Sequence, residues 1–182
     1  MELVKSAELF AKKNHSGMMK KDGITSQSKH LEDVVNRMKS LGVVDEELLC
    51  AGWLHDIIEE TNVDFDCLFE KFGTRIAVLV LSLSKDSLLP KKQREQSYIR
   101  QLKEATKDAK LIKLCDISAN LSTLKNYNAS KSKKIRIVKQ IRRYLTVIKN
   151  DLLENKDYPK TMTLLESINQ SLKQFGQKTI QM

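Results

Sequence analysis

Apolar residues recur at intervals of three and four positions along almost the whole 182-residue chain. This spacing places apolar side chains on one face of an α-helix, whereas the strict alternation that indicates strands occurs only in short runs. With 6 glycines and 2 prolines, the chain also has few residues that interrupt helices. The pattern predicts an all-α fold, and the length is sufficient for one domain with a substantial core.

Capping residues and helix breakers divide the chain into about eight to nine helices. Asp45 and Asp64 are suitable N-caps, and Gly73 is a suitable helix end. The segment between the first two helices, residues 15–28, contains glycines and serines that discourage regular structure. The predicted helices cover about 2–14, 29–41, 46–60, 64–73, 75–84, 91–106, 110–124, 132–154 and 159–174.

The net charge of +9 favours an anionic partner, which could be nucleic acid, a membrane surface or a phosphorylated small molecule. No run of about 18 apolar residues is present, and residues 1–14 lack the apolar core of a signal peptide. The three cysteines are far apart and form no Cys-x-x-Cys pair, which is typical of free thiols in a reducing compartment. We therefore expect a cytoplasmic protein.

The stretch AGWLHDIIEET, residues 51–61, ends an apolar run with four polar side chains. On a continuous helix, His55 and Glu59 would share one face, and Asp56 and Glu60 the adjacent face. Neighbouring imidazole and carboxylate groups can bind one metal ion. The same residues also fit an ordinary hydrogen-bonded helix terminus, so this stretch alone leaves both interpretations open.

Asp116 is a lone carboxylate in the apolar string LIKLCDISANL. We expect it on a largely buried helix, where an unpaired charge is costly. A metal ion is one partner that would relieve this cost, and Lys113, one turn earlier, is the other. The helix alone does not choose between them.

Four blocks in the same order resemble the HD-type metal-dependent phosphohydrolases, in particular the hydrolase domain of RelA/SpoT enzymes and the short, single-domain SpoT-homologue alarmone hydrolases. The resemblance extends over about residues 7–126. The blocks are AELFAKKNHSGMMKKDG, KHLEDVV, AGWLHDIIEET continued by FEKFGTRIAVLVLSLSK, and AKLIKLCDISANLSTLKN.

The resemblance implies a compact HD-domain helical bundle that forms a single hydrolase domain over residues 1–182, with C-terminal helices at about 132–174. It also implies one metal ion, usually Mn²⁺ in the family, although other divalent ions are possible. The implied ligands are His30, His55, Asp56 and Asp116. Two nitrogens and two carboxylate oxygens suit such a borderline ion.

Glu59 and Glu60 match the catalytic Glu-Asp pair of the family, which implies that they orient and deprotonate the attacking water. Glu60 is one methylene longer than the family aspartate. His15 matches a family histidine that is not a metal ligand, and we interpret it as structural or as support for the basic loop.

Four further positions are implied substrate contacts. Lys20 and Lys21 match basic residues near the phosphates, although a solvated basic loop is the alternative. Asn120 matches a substrate-contacting asparagine. Tyr144 resembles a tyrosine near the nucleotide, but its helix matches poorly and core packing is the alternative.

The implied reaction is hydrolysis of the 3′-pyrophosphate of ppGpp or pppGpp, which gives GDP or GTP and pyrophosphate; the partner is then a small nucleotide and not a membrane. Two departures leave the substrate open: residues 25–29 replace the Pro-Tyr-Ile of the family, and Ile117 replaces an arginine. An adenosine alarmone such as ppApp and the 2′-phosphate of NADPH are the alternatives. A catalytically silent protein that binds nucleotides or nucleic acid is the hypothesis from another class.

Overall fold

The computed structural model describes residues 2–20, 22–154 and 157–181. The all-α prediction is confirmed: these residues contain nine helices of eight residues or more and one single-turn helix. The helices are α1 (Glu2–Asn14), α2 (Gln27–Ser40), α3 (Glu46–Leu54), α4 (Ile57–Glu60), α5 (Phe65–Phe72), α6 (Thr74–Leu83), α7 (Lys91–Glu104), α8 (Lys107–Leu124), α9 (Lys131–Leu153) and α10 (Thr161–Gln174). None of the helices described is long and apolar enough to cross a lipid bilayer.

The predicted caps begin the helices where expected. The Asp45 side chain accepts a hydrogen bond from the Leu48 amide at 3.1 Å, and the Asp64 side chain accepts one from the Cys67 amide at 2.9 Å. Gly73, with a φ of 84°, ends α5 in a conformation that favours glycine. Thr106 caps α8, which therefore begins three residues before its predicted start at Lys110.

The prediction of one continuous helix through His55 and Asp56 is wrong. Helix α3 ends at Leu54 and α4 begins at Ile57. The imidazole Nδ1 of His55 lies 2.9 Å from the Gly52 carbonyl oxygen, and a regular helix would offer that carbonyl to the amide of Asp56. The His55 side chain therefore competes with the helical hydrogen bond and interrupts the helix between His55 and Asp56.

Helix α3 lies at the centre of the molecule, and all its residues from Leu48 to Leu54 are buried. It packs against α1, α2, α6 and α8. Helix α8 is buried along most of its length and also contacts α2, α6, α9 and α10. As a result, the junction between the end of α3 and the start of α4 faces the middle of α8 and the start of α2.

Residues 15–28 were predicted to lack regular structure, but Gln27 and Ser28 belong to α2, and the described residues on either side of position 21 pair as a short hairpin. Met19 and Ser26 form an antiparallel β-bridge, and the Lys20 amide donates to the Thr25 carbonyl at 2.7 Å. The Asp22 carboxylate closes the turn by accepting the amide of Thr25 at 2.8 Å. Hydrogen bonds therefore position this loop at the site described below.

Gly52 allows α2 and α3 to approach closely. A Cβ atom at this position would lie 2.6 Å from the Met38 sulfur and 3.3 Å from a Val35 methyl carbon. We expect Gly52→Ala to lower the free energy of unfolding by about 1–3 kcal/mol, because this overpacking outweighs the better helix propensity of alanine. Urea denaturation measures the change.

Combining Gly52→Ala with Met38→Ala provides the control. Removing the Met38 sulfur leaves space for the new methyl group, so the two losses should not add. If Gly52→Ala by itself left the unfolding midpoint unchanged, close packing at this position would not limit stability.

Candidate active site

Four predicted metal ligands, contributed by α2, the α3–α4 junction and α8, lie close together. His30 Nε2 lies 3.6 Å from Asp56 Oδ2 and 3.2 Å from Asp116 Oδ1. His55 Nε2 lies 3.3 Å from Asp56 Oδ1 and 3.7 Å from Asp116 Oδ1. Both histidines are buried. The structure therefore places two imidazole nitrogens opposite two carboxylates, as the sequence predicted, whereas their roles as ligands stay a prediction.

The histidine nitrogens are prepared to accept a cation. His55 Nδ1 faces a carbonyl oxygen, which favours the neutral tautomer that carries its proton on Nδ1 and offers the Nε2 lone pair to a metal, as in metal-ligating histidines. Within the described residues, Nε2 of His30 and Nε2 of His55 are buried without a hydrogen-bond partner. One ligand atom each from His30, His55 and Asp56 lies within 4.8 Å of the others. This donor set fits a divalent ion.

The pKa values of the cluster show that it favours positive charge. Burial opposes a charge on His55, but Asp56 and Asp116 outweigh it and raise its pKa to about 9. Burial lowers the pKa of His30. The pKa values of Asp56 and Asp116 are lowered despite their burial, Asp56 mainly by His55 and Asp116 mainly by Lys113. The cluster therefore contains two carboxylates that stay ionised and a ring that attracts a cation or a proton.

Asp116 has the Lys113 partner that the sequence offered as one interpretation, and its role as a metal ligand stays a prediction. Its Oδ2 accepts Lys113 Nζ at 2.8 Å, and its Oδ1 accepts Asn120 Nδ2 at 2.6 Å while facing the two imidazoles. Asn120, predicted to contact the substrate, is seen here to orient a carboxylate.

Gln27 is a site residue that was not predicted from the sequence. Its side chain is buried, and Nε2 donates to Asp56 Oδ2 at 2.7 Å. Lys20 Nζ lies 3.6 Å from the same oxygen. Gln27 occupies the segment that departs from the family, but it precedes His30 by three residues, and this helical spacing could have indicated a shared face.

Glu59 and Glu60 point to different neighbours. Glu59 Oε1 accepts the Lys85 amide at 2.8 Å, and its Oε2 lies 3.9 Å from Lys85 Nζ. Glu60 Oε2 lies 3.9 Å from Nε2 of the buried His15. Burial, and then repulsion from Asp56, raises the pKa of Glu60 to about 7. Glu60 can therefore exchange a proton near neutral pH.

The raised pKa of Glu60 predicts a pH-dependent change in stability. The folded pKa of about 7 exceeds the ordinary value of 4.5, so this group favours folding below pH 4.5 and loses that contribution as the pH rises through 7. In chelator-treated protein at about pH 8, Glu60→Gln should raise the free energy of unfolding by up to about 1 kcal/mol, since solvent screens this half-exposed side chain.

Denaturation at about pH 8 and pH 4 measures the effect of Glu60→Gln. At the lower pH the protonated glutamic acid and the glutamine at position 60 are both neutral, so we expect no difference in stability there. The exposed Glu70→Gln is the control and should change stability at neither pH. An equal effect of Glu60→Gln at both pH values would contradict the raised pKa.

A cavity of about 450 Å³ opens above the carboxylates. It collects the predicted residues Lys20, Asp56, Glu59, Glu60, Asp116, Asn120 and Tyr144. It also contains Lys85, Lys113, Glu95 and Gln140, which were not assigned to the site from the sequence. Lys21, the other predicted phosphate contact, lies outside the described residues.

Tyr144 combines core packing with a place in the cavity wall. Its side chain is buried and meets Tyr98 edge-on, with ring centroids 5.3 Å apart. Lys113 Nζ lies 5.4 Å from the centre of the Tyr144 ring, and Lys85 Nζ lies 5.7 Å from it. The two lysines therefore place positive charge against aromatic faces inside the cavity.

The sequence model of the HD domain matches residues 7–144. The chain belongs to the HD-domain family. The guanosine-3′,5′-bis(diphosphate) 3′-pyrophosphohydrolase MESH1 of Danio rerio is 35% identical over 82 residues, which cover 45% of this chain and 46% of that protein. The protein of the same name from Homo sapiens is 30% identical over 124 residues, which cover 68% of this chain and 69% of that one.

A solved structure of a metazoan ortholog of SpoT, described as hydrolysing ppGpp and playing a role in starvation responses, has the same fold. It superimposes with a TM-score of 0.85 at 21% identity and covers 97% of both chains. The shared fold thus includes α9 and α10. Membership of the HD-domain family implies a divalent metal, and the group formed by His30, His55 and Asp56 is a possible site for it.

Proposed function

We propose that this HD domain hydrolyses the 3′-pyrophosphate of the guanosine alarmones ppGpp and pppGpp in a reaction that depends on Mn²⁺. Relatives with similar sequences carry the name of this activity. The observation that carries the proposal is the buried pair of unbonded imidazole nitrogens facing two ionised carboxylates at the base of a cavity.

His30, His55, Asp56 and Asp116 would hold the ion. When bound, it would supply Lewis-acid activation of water and of a phosphate oxygen. Gln27 fixes one oxygen of Asp56, and Asn120 fixes one oxygen of Asp116. These hydrogen bonds hold the carboxylates in place before substrate arrives, which reduces the cost of organising the site.

The carboxylates of Glu59 and Glu60 would handle the proton of the attacking water. Hydrolysis joins the water oxygen to the phosphorus next to the ribose and breaks the bond between that phosphorus and the 3′-oxygen. The water loses one proton, and the departing 3′-oxygen gains one. Glu60 is suited to accept a proton because its pKa is about 7, and Glu59 is held in place by the Lys85 amide.

Three lysines of the cavity complement the anionic substrate. Lys20 lies on the hairpin beside Asp56, and Lys85 and Lys113 lie beside Tyr144. Burial opposes the charge on Lys113, but its ion pair with Asp116 raises the Lys113 pKa well above the ordinary value, so Lys113 stays charged. The three ammonium groups would balance the two diphosphates.

We further propose that residues 1–182 act as one hydrolase domain in the cytoplasm. Helices α9 and α10 pack against α8, which supports the single domain. The thiols of Cys50 and Cys115 are free and buried, and burial raises their pKa values to about 12, as fits unreactive cysteines in a reducing compartment.

A nucleotide panel tests the proposal. Purified protein is incubated with ppGpp, pppGpp, ppApp or NADPH, with Mn²⁺, with other divalent ions or with a chelator, and the release of pyrophosphate and phosphate is measured. We expect GDP and pyrophosphate from ppGpp with Mn²⁺ and no product with the chelator. If NADPH alone were hydrolysed, with release of phosphate, the proposed substrate would be wrong but the proposed metal chemistry would stand. The absence of any turnover would overturn the proposed activity.

A further inference from the structure

Glu95 is an acidic side chain in the wall of a cavity that we propose receives a polyanion. It lies on α7, and its Oε2 accepts the Tyr144 hydroxyl at 2.6 Å and Gln140 Nε2 at 2.6 Å. Within the described part of the chain, Glu95 forms no ion pair, and its Oε1 accepts no hydrogen bond. Metal chemistry and phosphate binding leave this carboxylate without a role.

The surroundings of Glu95 hold it as an oriented acceptor. Burial, and then the hydrogen bond to Glu95, raises the pKa of Tyr144, so the tyrosine hydroxyl keeps its proton and donates it. Gln140 adds a second donor to the same oxygen. Because both donors bind Oε2, the orientation of the carboxylate is fixed while Oε1 stays available to a ligand.

The charge of Glu95 restricts which part of a nucleotide can approach it. A carboxylate repels phosphates and attracts N–H and O–H donors. The phosphates can instead be attracted by Lys113, whose Nζ lies 2.8 Å from Asp116 Oδ2 and 5.4 Å from the Tyr144 ring centre. Glu95 lies beyond that ring, at the tyrosine hydroxyl. The phosphates would therefore lie against the metal cluster and the lysines, and the uncharged nucleoside against Glu95.

We propose that Glu95 recognises the base of the substrate and selects guanine over adenine. Guanine presents two adjacent donors, its ring N1–H and its 2-amino group, which can both converge on the free Oε1. Adenine presents one amino group beside a ring nitrogen with a lone pair, which would face the carboxylate unfavourably. This inference rests on the proposed function and adds to it the residue that determines base specificity.

The test compares kcat/KM for ppGpp and ppApp in the Mn²⁺-loaded enzyme and in Glu95→Gln. A pair of specific hydrogen bonds to a base discriminates by about 10–100-fold. We expect Glu95→Gln to lower kcat/KM for ppGpp by that factor and to leave the value for ppApp unchanged or higher, because the amide does not repel the adenine ring nitrogen. Glu104→Gln, at the exposed end of the same helix, is the matched control and should change neither value.

Two results would overturn the role of Glu95. An equal loss with both nucleotides would show that Glu95 only supports Tyr144, and an unchanged ratio would place the base elsewhere. If the unaltered enzyme hydrolyses neither nucleotide, the proposed function fails, and calorimetric binding of GDP and ADP then tests base recognition separately. Wild-type protein should bind GDP more tightly and Glu95→Gln should lose that preference; equal affinities of the wild-type protein would contradict the assignment.

Discussion

Replacement of His55 by alanine is expected to reduce turnover at least about 10³-fold and to abolish stabilisation by Mn²⁺. The substitution removes one of two buried imidazole nitrogens that face Asp56 and Asp116. Loss of a metal ion removes several kcal/mol of transition-state stabilisation, and each 1.36 kcal/mol corresponds to a factor of about ten in rate. A catalytically silent binding protein would have no turnover to lose, and its ligand binding would be unchanged by the substitution.

Two measurements on His55→Ala separate loss of metal from loss of fold. Circular dichroism reports helix content, and the shift in melting temperature on addition of Mn²⁺ reports metal binding. At an ion concentration of 100 times Kd, metal binding should raise the free energy of unfolding of the wild-type protein by about 2.7 kcal/mol. His15→Ala is the matched control, since His15 is equally buried and also places Nδ1 2.9 Å from a helix carbonyl. It should keep the Mn²⁺-dependent shift. A full shift in His55→Ala would exclude His55 as a ligand.

Glu59→Gln and Glu60→Gln are each expected to lower kcat by about 10²–10⁴-fold without loss of Mn²⁺ binding, because each removes a carboxylate that can accept a proton. Glutamine retains an oxygen that can accept the Lys85 amide at position 59, so the local backbone should be preserved. The double variant should be little worse than the less active single variant, because the effects of two groups that serve one water are not additive.

Single-turnover kinetics with saturating Mn²⁺ measure these effects and separate chemistry from product release. A variant in which KM rises while kcat is unchanged would show that the glutamate binds substrate and does not handle the proton. Independent losses that multiply in the double variant would show that the two carboxylates act in separate steps. The distinction is informative here, because Glu59 faces Lys85 and Glu60 faces His15.

Asp116 shows how far sequence reasoning could reach within the site. Its position in an apolar helix predicted burial and the need for a partner, and it is 4% exposed. The identity of that partner could not be derived from one helix, because Lys113, Asn120 and the two histidines reach Asp116 from different directions. The sequence also suggested that the cation next to the family carboxylate is missing, since Ile117 replaces an arginine. In the structure, Lys113 provides that cation from one turn earlier.

The helix pattern and the caps at Asp45 and Asp64 followed from the sequence, because they depend on local periodicity and on residue types at short spacing. The set His30, His55, Asp56 and Asp116 was implied only by the resemblance to the HD-type phosphohydrolases, since spacing alone left both interpretations of these residues open. The break at His55, the divergence of Glu59 and Glu60 and the place of Glu95 in the cavity depended on the tertiary structure. Each is decided by a contact between segments or between a side chain and the backbone, and hydrophobic periodicity carries no information about the direction of a polar side chain at a helix end.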